Sequence, residues 1–139
     1  MNSKWNLRFL EMADLVASWS KDPSTKVGAV IVDANKRVVS VGYNGFPRGV
    51  DDMEARYNDR QLKYKLVCHA ERNALDNASL TVDGCTMFVT FPSCNECMKS
   101  IIQKGIKHIV VRKTDREDNY NWKEAIMMAE ESGVSITFI

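Results

Sequence analysis

Two short pieces of the sequence combine residue types that bind metals and move protons. The first is His69-Ala70-Glu71, and the second is Cys94-Asn95-Glu96-Cys97. Imidazole nitrogen and thiolate sulfur are donors that zinc binds in tetrahedral sites. The two cysteines stand three residues apart at the start of a predicted helix, so both sulfur atoms can reach one ion, and the positive end of the helix favours their thiolate forms. We therefore predict that His69, Cys94 and Cys97 hold one zinc ion.

A carboxylate follows the predicted histidine ligand and completes a catalytic pattern. Three protein ligands leave the fourth position of a tetrahedral zinc ion open to water, as in catalytic sites. Water activated in this way needs a nearby base that takes its proton and delivers it elsewhere. Glu71 stands two residues after His69 and is the predicted catalytic residue. His-x-Glu followed by Cys-x-x-Cys is the signature of zinc deaminases.

Other roles for the four cysteines remain open at the level of sequence. Cys94 and Cys97 could form a redox pair. Alternatively, Cys68 or Cys85 could supply a fourth ligand, which would close the zinc into the structural site of a binding module. We interpret Cys68 and Cys85 as small buried hydrophobic residues, and His108 as an ordinary surface or interface residue.

Composition limits the classes of protein to which these pieces can belong. The 139 residues carry 19 Lys and Arg against 18 Asp and Glu, a formal net charge of +1. That balance argues against a protein that coats nucleic acid phosphates. No apolar run approaches the roughly 20 residues that span a bilayer, and the N-terminal residues lack the apolar core of a secretory signal. We expect a single domain over residues 1–139, located in the cytoplasm, with no nucleic acid or membrane partner.

The elements that must position these residues alternate along the chain. Apolar residues at three- and four-residue steps predict a helix over residues 4–19. Two β-branched runs at 27–32 and 37–41 predict a β-hairpin, and the glycines and proline of residues 42–49 predict a loop that ends its second strand. Residues 51–65 are polar with weak helical character, which leaves a solvated surface segment and a helix as equal alternatives.

The second half of the chain predicts the layers of the fold. Predicted helices alternate with predicted strands: helices at 70–78, 94–104 and 122–131, strands at 87–90, 106–111 and 134–139. This order predicts an α/β domain with three layers, α/β/α, in which helices cover both faces of a five-stranded mixed sheet that opens with a β-hairpin.

Several stretches resemble deoxycytidylate (dCMP) deaminases of the cytidine deaminase-like superfamily, and the similarity runs nearly end to end. The stretches are residues 20–29, 42–47, 67–71 and 87–106. The first two point to the nucleotide branch. The resemblance implies the cytidine deaminase-like fold and zinc-dependent hydrolysis of dCMP to dUMP and ammonia, which supplies dUMP for thymidylate synthesis. Deamination of another cytosine or adenine nucleoside or base remains the alternative within the superfamily.

The resemblance also implies roles for residues outside the metal site. Asn44 matches an asparagine that contacts the nucleoside, Lys26 is the expected ligand of the 5′-phosphate, and Tyr120 is expected to line the nucleotide site. The resemblance further implies a homohexamer that is activated by dCTP with Mg2+ and inhibited by dTTP. Arg48, in the predicted loop, is the candidate effector contact.

Two features bear on how closely this chain follows the family pattern. Ser93 directly precedes Cys94, where the superfamily usually has proline, and Pro92 stands one place earlier. A proline fixes the backbone that leads into a helix, so the local geometry is expected to differ without loss of a ligand. Between Asn44 and Val67 there is no Cys or His to bind the additional zinc of some family members, so we expect one Zn2+ per subunit.

Overall fold

A five-stranded mixed sheet forms the centre of the computed structural model, which describes residues 3–114 and 122–139. Its spatial order is β2-β1-β3-β4-β5. Strand β1 pairs antiparallel with both β2 and β3, whereas β3, β4 and β5 run parallel to one another. The strands are β1 (Gly28–Val32), β2 (Val38–Tyr43), β3 (Thr86–Val89), β4 (His108–Val111) and β5 (Ser135–Phe138).

Six helices are found in the described part of the chain, and they connect or cover these strands. They are α1 (Ser3–Ala17), α2 (Glu54–Asn58), α3 (Arg60–Leu66), α4 (Ala70–Asn77), α5 (Asn95–Gln103) and α6 (Lys123–Ser132). Among the described residues, no helix has the length and apolar character needed to cross a bilayer. Helices α5 and α6 are the crossovers between parallel strands, so both lie on one face of the sheet.

Alternation along the strands divides the core between the two faces of the sheet. Val30, Phe88 and Val110 pack with the apolar side of α1, including Leu10. Their strand neighbours point the other way and pack against α4, α5 and α6, and this second core contains Ala29, Ile31, Met87, Val89, Ile109 and Val111. The predicted three-layer α/β/α fold, with a mixed sheet that opens with a hairpin, is confirmed.

The predicted end of the second strand is wrong. Gly42 and Tyr43 continue β2, where they pair with Ala29 and Gly28 of β1. Helix α4 crosses the sheet at this point, and a Cβ atom on Gly42 would lie 2.3 Å from the backbone nitrogen of Ala74. The glycine therefore permits close packing of a helix on a strand, which a composition-based search for turns mistakes for a loop signal.

The polar segment that follows is folded back onto the molecule. It forms α2 and α3, in which Tyr57 and Lys63 are each 3% exposed. The ring of Tyr57 stacks on Phe46 with centroids 4.1 Å apart. The interpretation of residues 51–65 as a solvated segment is therefore wrong for these two side chains. An ion pair between Lys63 and Asp22 places α3 beside the loop that follows α1.

Candidate functional site

Three predicted ligands meet at the N-terminal ends of two helices. His69 is the N-cap residue of α4, and Cys94 is the N-cap residue of α5. The Nδ1 atom of His69 lies 3.4 Å from Sγ of Cys94 and 3.3 Å from Sγ of Cys97. All three donor atoms lie within 4.8 Å of one another, and in the described part of the chain this is the one such group of three or more metal-binding side chains.

The geometry of this group fits zinc. Bonds of about 2.0 Å to nitrogen and 2.3 Å to sulfur, set at the tetrahedral angle, place the two donors roughly 3.5 Å apart. The nitrogen–sulfur separations of 3.4 and 3.3 Å lie close to that distance. Two soft sulfur donors with one imidazole also match the ligand preference of zinc. Three protein donors leave one coordination position for water.

Without a metal ion, the electrostatics of the group favour a single thiolate, that of Cys94. Hydrogen bonds from the Cys97 thiol, from His69 and from the Cys97 backbone N–H lower the pKa of Cys94 well below its ordinary value. The adjacent Cys94 sulfur, aided by burial, raises the pKa of Cys97. The same sulfur raises the pKa of His69 through a hydrogen bond. One thiolate is thus stabilised in advance, and a bound cation would favour deprotonation of the other two groups.

Glu71 is a buried carboxyl group in the first turn of α4. Glu71 is 4% exposed, and burial raises the pKa of its carboxyl group above the ordinary value. It shares the lining of a cavity with His69 and Cys94. A carboxylate with a raised pKa is a stronger base than an exposed glutamate, and once protonated it can donate the proton to another atom.

The remaining cysteines and the second histidine lie apart from the donor group. Cys85 is buried in the core on the α4 side of the sheet. Cys68 is half-buried, and its backbone N–H donates to the carbonyl of Gly45 at 2.8 Å. His108 is exposed, with Nδ1 2.6 Å from Oγ of Ser135. Neither cysteine joins the three clustered donors, which favours an open site over a four-ligand structural site.

A cavity of about 410 Å³ opens beside the donor group. That size is within the range of small-molecule sites. The described residues that line it come from six parts of the fold: the loop before β1, the residue after β2, helix α3 and its C-cap, the start of α4, the loop from β3 to α5, and the residue before α6. They include Asp22, Ser24, Thr25, Val27, Asn44, Arg60, Lys63, Tyr64, His69, Glu71, Phe91, Pro92, Cys94 and Trp122.

The predicted substrate and effector residues occupy different places. Asn44 lines the cavity and is 7% exposed. Lys26 is outside that lining, and its ammonium group donates to the carbonyl of Ser20. Arg48 is on the exposed surface, where it donates to Oδ1 of Asn77 at 2.7 Å. Tyr120 lies outside the described residues.

Sequence reasoning missed several residues of the cavity. Asp22 and Lys63 form a buried ion pair in its lining, with Nζ 3.1 Å from Oδ1. Phe91 and Trp122 meet edge to face there, with centroids 5.8 Å apart. Asp22 belongs to the stretch that carries the family resemblance, which was a usable signal. Lys63 had none, because it stands in a charged segment whose pattern is typical of a solvated surface.

The loop before Cys94 keeps both unusual residues buried. Pro92 and Ser93 are both buried, and Ser93 is 5% exposed. Cys94 nevertheless takes the extended N-cap conformation, and its sulfur accepts from the backbone N–H of Cys97 at 3.5 Å. The displaced proline therefore leaves the helix start, and the direction of both sulfur atoms, intact.

Comparison with known proteins places the whole chain among related sequences. Residues 3–113 match the family model described as the cytidine and deoxycytidylate deaminase zinc-binding region. A protein of Aliivibrio fischeri, named an uncharacterized deaminase in the luxG 3′ region, is 43% identical over 100% of this chain and 96% of its own. The deoxycytidylate deaminase of Homo sapiens is 39% identical over 95% of this chain and 78% of its own.

Solved structures show the same fold. The dCMP deaminase of cyanophage S-TIM5, crystallised with dCMP and dUMP, superposes with a TM-score of 0.82 and 27% identity. The match covers 100% of this chain and 99% of the phage chain. The predicted cytidine deaminase-like architecture is confirmed by this similarity.

Proposed function

This chain belongs to the family of zinc-binding cytidine and deoxycytidylate deaminases, and on that basis we propose that it hydrolyses dCMP to dUMP and ammonia. The observation that carries the proposal is that buried Glu71 lines one cavity of nucleotide size together with His69 and Cys94, whose donor atoms cluster with that of Cys97. His69, Cys94 and Cys97 would hold the metal, with Glu71 as the catalytic residue.

Protons must move between three positions during this reaction. Zinc, when bound, would supply Lewis-acid activation of water, which lowers the pKa of that water from its bulk value to about 7. Glu71 takes a proton from the attacking water and delivers it to ring nitrogen 3, while the water oxygen bonds to ring carbon 4. Glu71 then takes the remaining proton from that oxygen and transfers it to the amino nitrogen. The bond between carbon 4 and this nitrogen breaks, and the nitrogen leaves as ammonia. The raised pKa of the Glu71 carboxyl suits a group that alternates between base and acid.

Aromatic and amide groups of the cavity suit a nucleoside. Phe91, Trp122 and Val27 contribute apolar surface on which a pyrimidine ring can pack. Asn44 is the proposed nucleoside contact. Its side chain sits in the same lining as Glu71, so one ligand of nucleotide size can touch both.

The 5′-phosphate requires a cation, and two candidates differ in position. Arg60 lines the cavity, and no carboxylate in the described part of the chain lies within ion-pair distance of it. Lys26 is exposed outside the lining. We therefore favour Arg60 as the phosphate cation. Lys26 and Tyr120 stay as predictions, the latter beyond the described residues.

The finer consequences of the family resemblance are also proposals. They are a homohexamer, activation by dCTP with Mg2+, inhibition by dTTP, a cytoplasmic location and a role in supplying dUMP for thymidylate synthesis. Arg48 is the proposed effector contact, supported by its exposure on the loop after β2 and by its position away from the cavity lining.

Ammonia release by the purified protein tests the proposed reaction. We expect turnover of dCMP to exceed that of cytidine and of adenosine-containing RNA, with about one zinc bound per subunit. Glu71→Gln should keep zinc while kcat falls by about 10²- to 10⁴-fold, because the variant loses its proton carrier. Glu96→Gln is the matched control, since Glu96 stands between the two cysteines but is exposed and paired with Lys99.

The assay has two outcomes that would contradict the proposal. Wild-type-like deamination of dCMP by Glu71→Gln would remove Glu71 from the mechanism. If the purified protein leaves dCMP unchanged but deaminates another base or nucleoside, the family assignment stands and the proposed substrate is wrong.

A further inference from the structure

Lys63 carries a buried positive charge beside the substrate cavity. Its side chain is 4% exposed, although it belongs to a short helix of an otherwise polar segment. Lysine is rarely buried to this extent without a partner, because desolvation of an ammonium ion is costly. The mechanism proposed above does not use this residue.

The Lys63 ammonium group joins two segments that are distant in sequence. It donates to Oδ1 of Asp22 at 3.1 Å and to Oγ of Ser24 at 3.4 Å. The same Asp22 oxygen accepts from the backbone N–H groups of Ser24 at 2.8 Å and Thr25 at 3.4 Å. Lys63 therefore neutralises the carboxylate that shapes the loop between α1 and β1.

The other oxygen of that carboxylate reaches Asn44. Nδ2 of Asn44 donates to Oδ2 of Asp22 at 3.4 Å and to the carbonyl of Thr25 at 2.8 Å. Oδ1 of Asn44 accepts from the backbone N–H of Val27 at 2.8 Å. These bonds fix which side of the amide carries oxygen and which carries nitrogen, and they hold Asn44 in the cavity lining.

We propose that Lys63 is a positioning residue of this deaminase: by pairing with Asp22, it fixes the Asn44 amide in the orientation that meets the nucleoside. The inference rests on the proposed function, because it takes Asn44 as a substrate contact. Without the ammonium group, the buried Asp22 carboxylate has no cation, so water or a proton must enter and the bonds to Asn44 rearrange. The reacting centre at Glu71 is not part of this network.

Substitution of Lys63 by methionine tests the proposal in the zinc-loaded enzyme. Lys63→Met keeps a long side chain without charge. We expect KM for dCMP to rise about tenfold and kcat to stay within about threefold, since binding is lost without loss of the proton carrier. Lys63→Arg should recover part of the affinity. Lys65→Met is the matched control on the same helix, because Lys65 is exposed, and its KM should equal that of the wild type.

A double variant separates positioning through Asn44 from a general structural effect. If Lys63 acts through Asn44, then Asn44→Ala raises KM, and adding Lys63→Met raises it little further. If the two residues act independently, the KM of the double variant should rise by the product of the two single-variant increases, and that result would overturn the proposal. An unchanged KM in Lys63→Met would overturn it as well.

Inhibition by the product dUMP and by deoxyuridine, which lacks the phosphate, distinguishes this role from direct contact with the phosphate. Positioning through Asn44 predicts that Lys63→Met weakens binding of dUMP and of deoxyuridine by similar factors. Weakening confined to dUMP would show that Lys63 binds the phosphate itself, and would contradict the proposal. If Lys63→Met does not fold, Asp22→Asn takes its place, with the same expected rise in KM and the same non-additivity with Asn44→Ala.

The proposed function fails in a different way from this inference. If the wild type does not deaminate dCMP, the reaction is misassigned. If the wild type is active and the Lys63→Met and Asp22→Asn variants retain its KM, only the positioning role is wrong.

Discussion

Cys94 serves two purposes with one sulfur atom. It caps the start of α5 by accepting from the backbone N–H of Cys97, and it faces Nδ1 of His69 at 3.4 Å. The hydrogen bonds that define the helix start are also among those that lower the pKa of the thiol. The Cys97 thiol contributes most to this shift, and His69 and the Cys97 backbone N–H add to it, so the two cysteines act as a unit in favouring a thiolate suited to bind metal.

We predict that zinc binding depends on Cys94 and Cys97 but not on Cys68 or Cys85. Cys94→Ser should keep the helix cap but lose most of the bound zinc, because a hydroxyl is a poor substitute for a thiolate ligand. Cys68→Ser and Cys85→Ala should retain about one zinc per subunit. Metal content measured by mass spectrometry of the purified variants decides the matter. Loss of zinc from Cys68→Ser or Cys85→Ala would instead indicate a closed site with four protein ligands.

Helix α4 is the element on which the site depends most directly. It presents His69 at its N-terminal end and Glu71 in its first turn, and it packs across β2 at Gly42. Its distance from the sheet is set by that glycine. A shift of this helix would move the proposed metal ligand His69 and the proposed proton carrier Glu71 together, because both lie at its N-terminal end.

We accordingly predict that Gly42→Ala destabilises the protein and weakens zinc binding. The added Cβ would lie 2.3 Å from the nitrogen of Ala74 and 2.6 Å from the oxygen of Ala70, so the helix backbone must move. We expect a loss of about 1–3 kcal/mol in the free energy of unfolding, measured by chemical denaturation. Gly45→Ala is the control, since the nearest atom to its Cβ is 3.6 Å away and the change should be nearly neutral. Equal stability of the two variants would contradict this role of Gly42.

The whole molecule carries almost no net charge, so its selectivity for an anionic substrate must be local. Nineteen basic residues balance eighteen acidic ones. Within the cavity lining, Lys63 is neutralised by Asp22, whereas Arg60 is left without an ion pair among the described residues. This arrangement suits a small anion that enters a pocket rather than a polyanion spread over a surface.

We predict that the protein assembles into a hexamer whose activity responds to dCTP and dTTP. We expect a particle of six 15.8 kDa subunits by analytical ultracentrifugation. The plot of rate against dCMP concentration should be sigmoidal. Addition of dCTP with Mg2+ should make its initial slope steeper, and addition of dTTP should shift the curve to higher dCMP concentrations. Arg48→Ala should reduce the response to both triphosphates. Hyperbolic curves that neither triphosphate alters would remove the regulatory proposal and leave the deaminase proposal intact.

Short motifs and periodicity determined a large part of this protein from sequence alone. Ligand chemistry and helix geometry act over three or four residues, so they pair His69 with Glu71 and Cys94 with Cys97, and the zinc-deaminase signature joins the two pieces into one predicted group. The layered fold followed for a similar reason, since alternation along strands and apolar steps along helices are local patterns. The sequence also indicated the family, which the comparisons confirm.

Only the tertiary structure decided the features that depend on contact between distant segments. From sequence, Gly42 is predicted to lie in a loop, whereas the structure places it in β2 in contact with α4. Lys63 lies in a segment whose pattern is typical of a solvated surface, whereas the structure buries it with Asp22, 41 positions away. The same holds for the amide of Asn44, whose orientation is set by bonds to the loop between α1 and β1. Local patterns carry no record of such pairs, because burial and ion pairing are fixed by which elements the fold brings together.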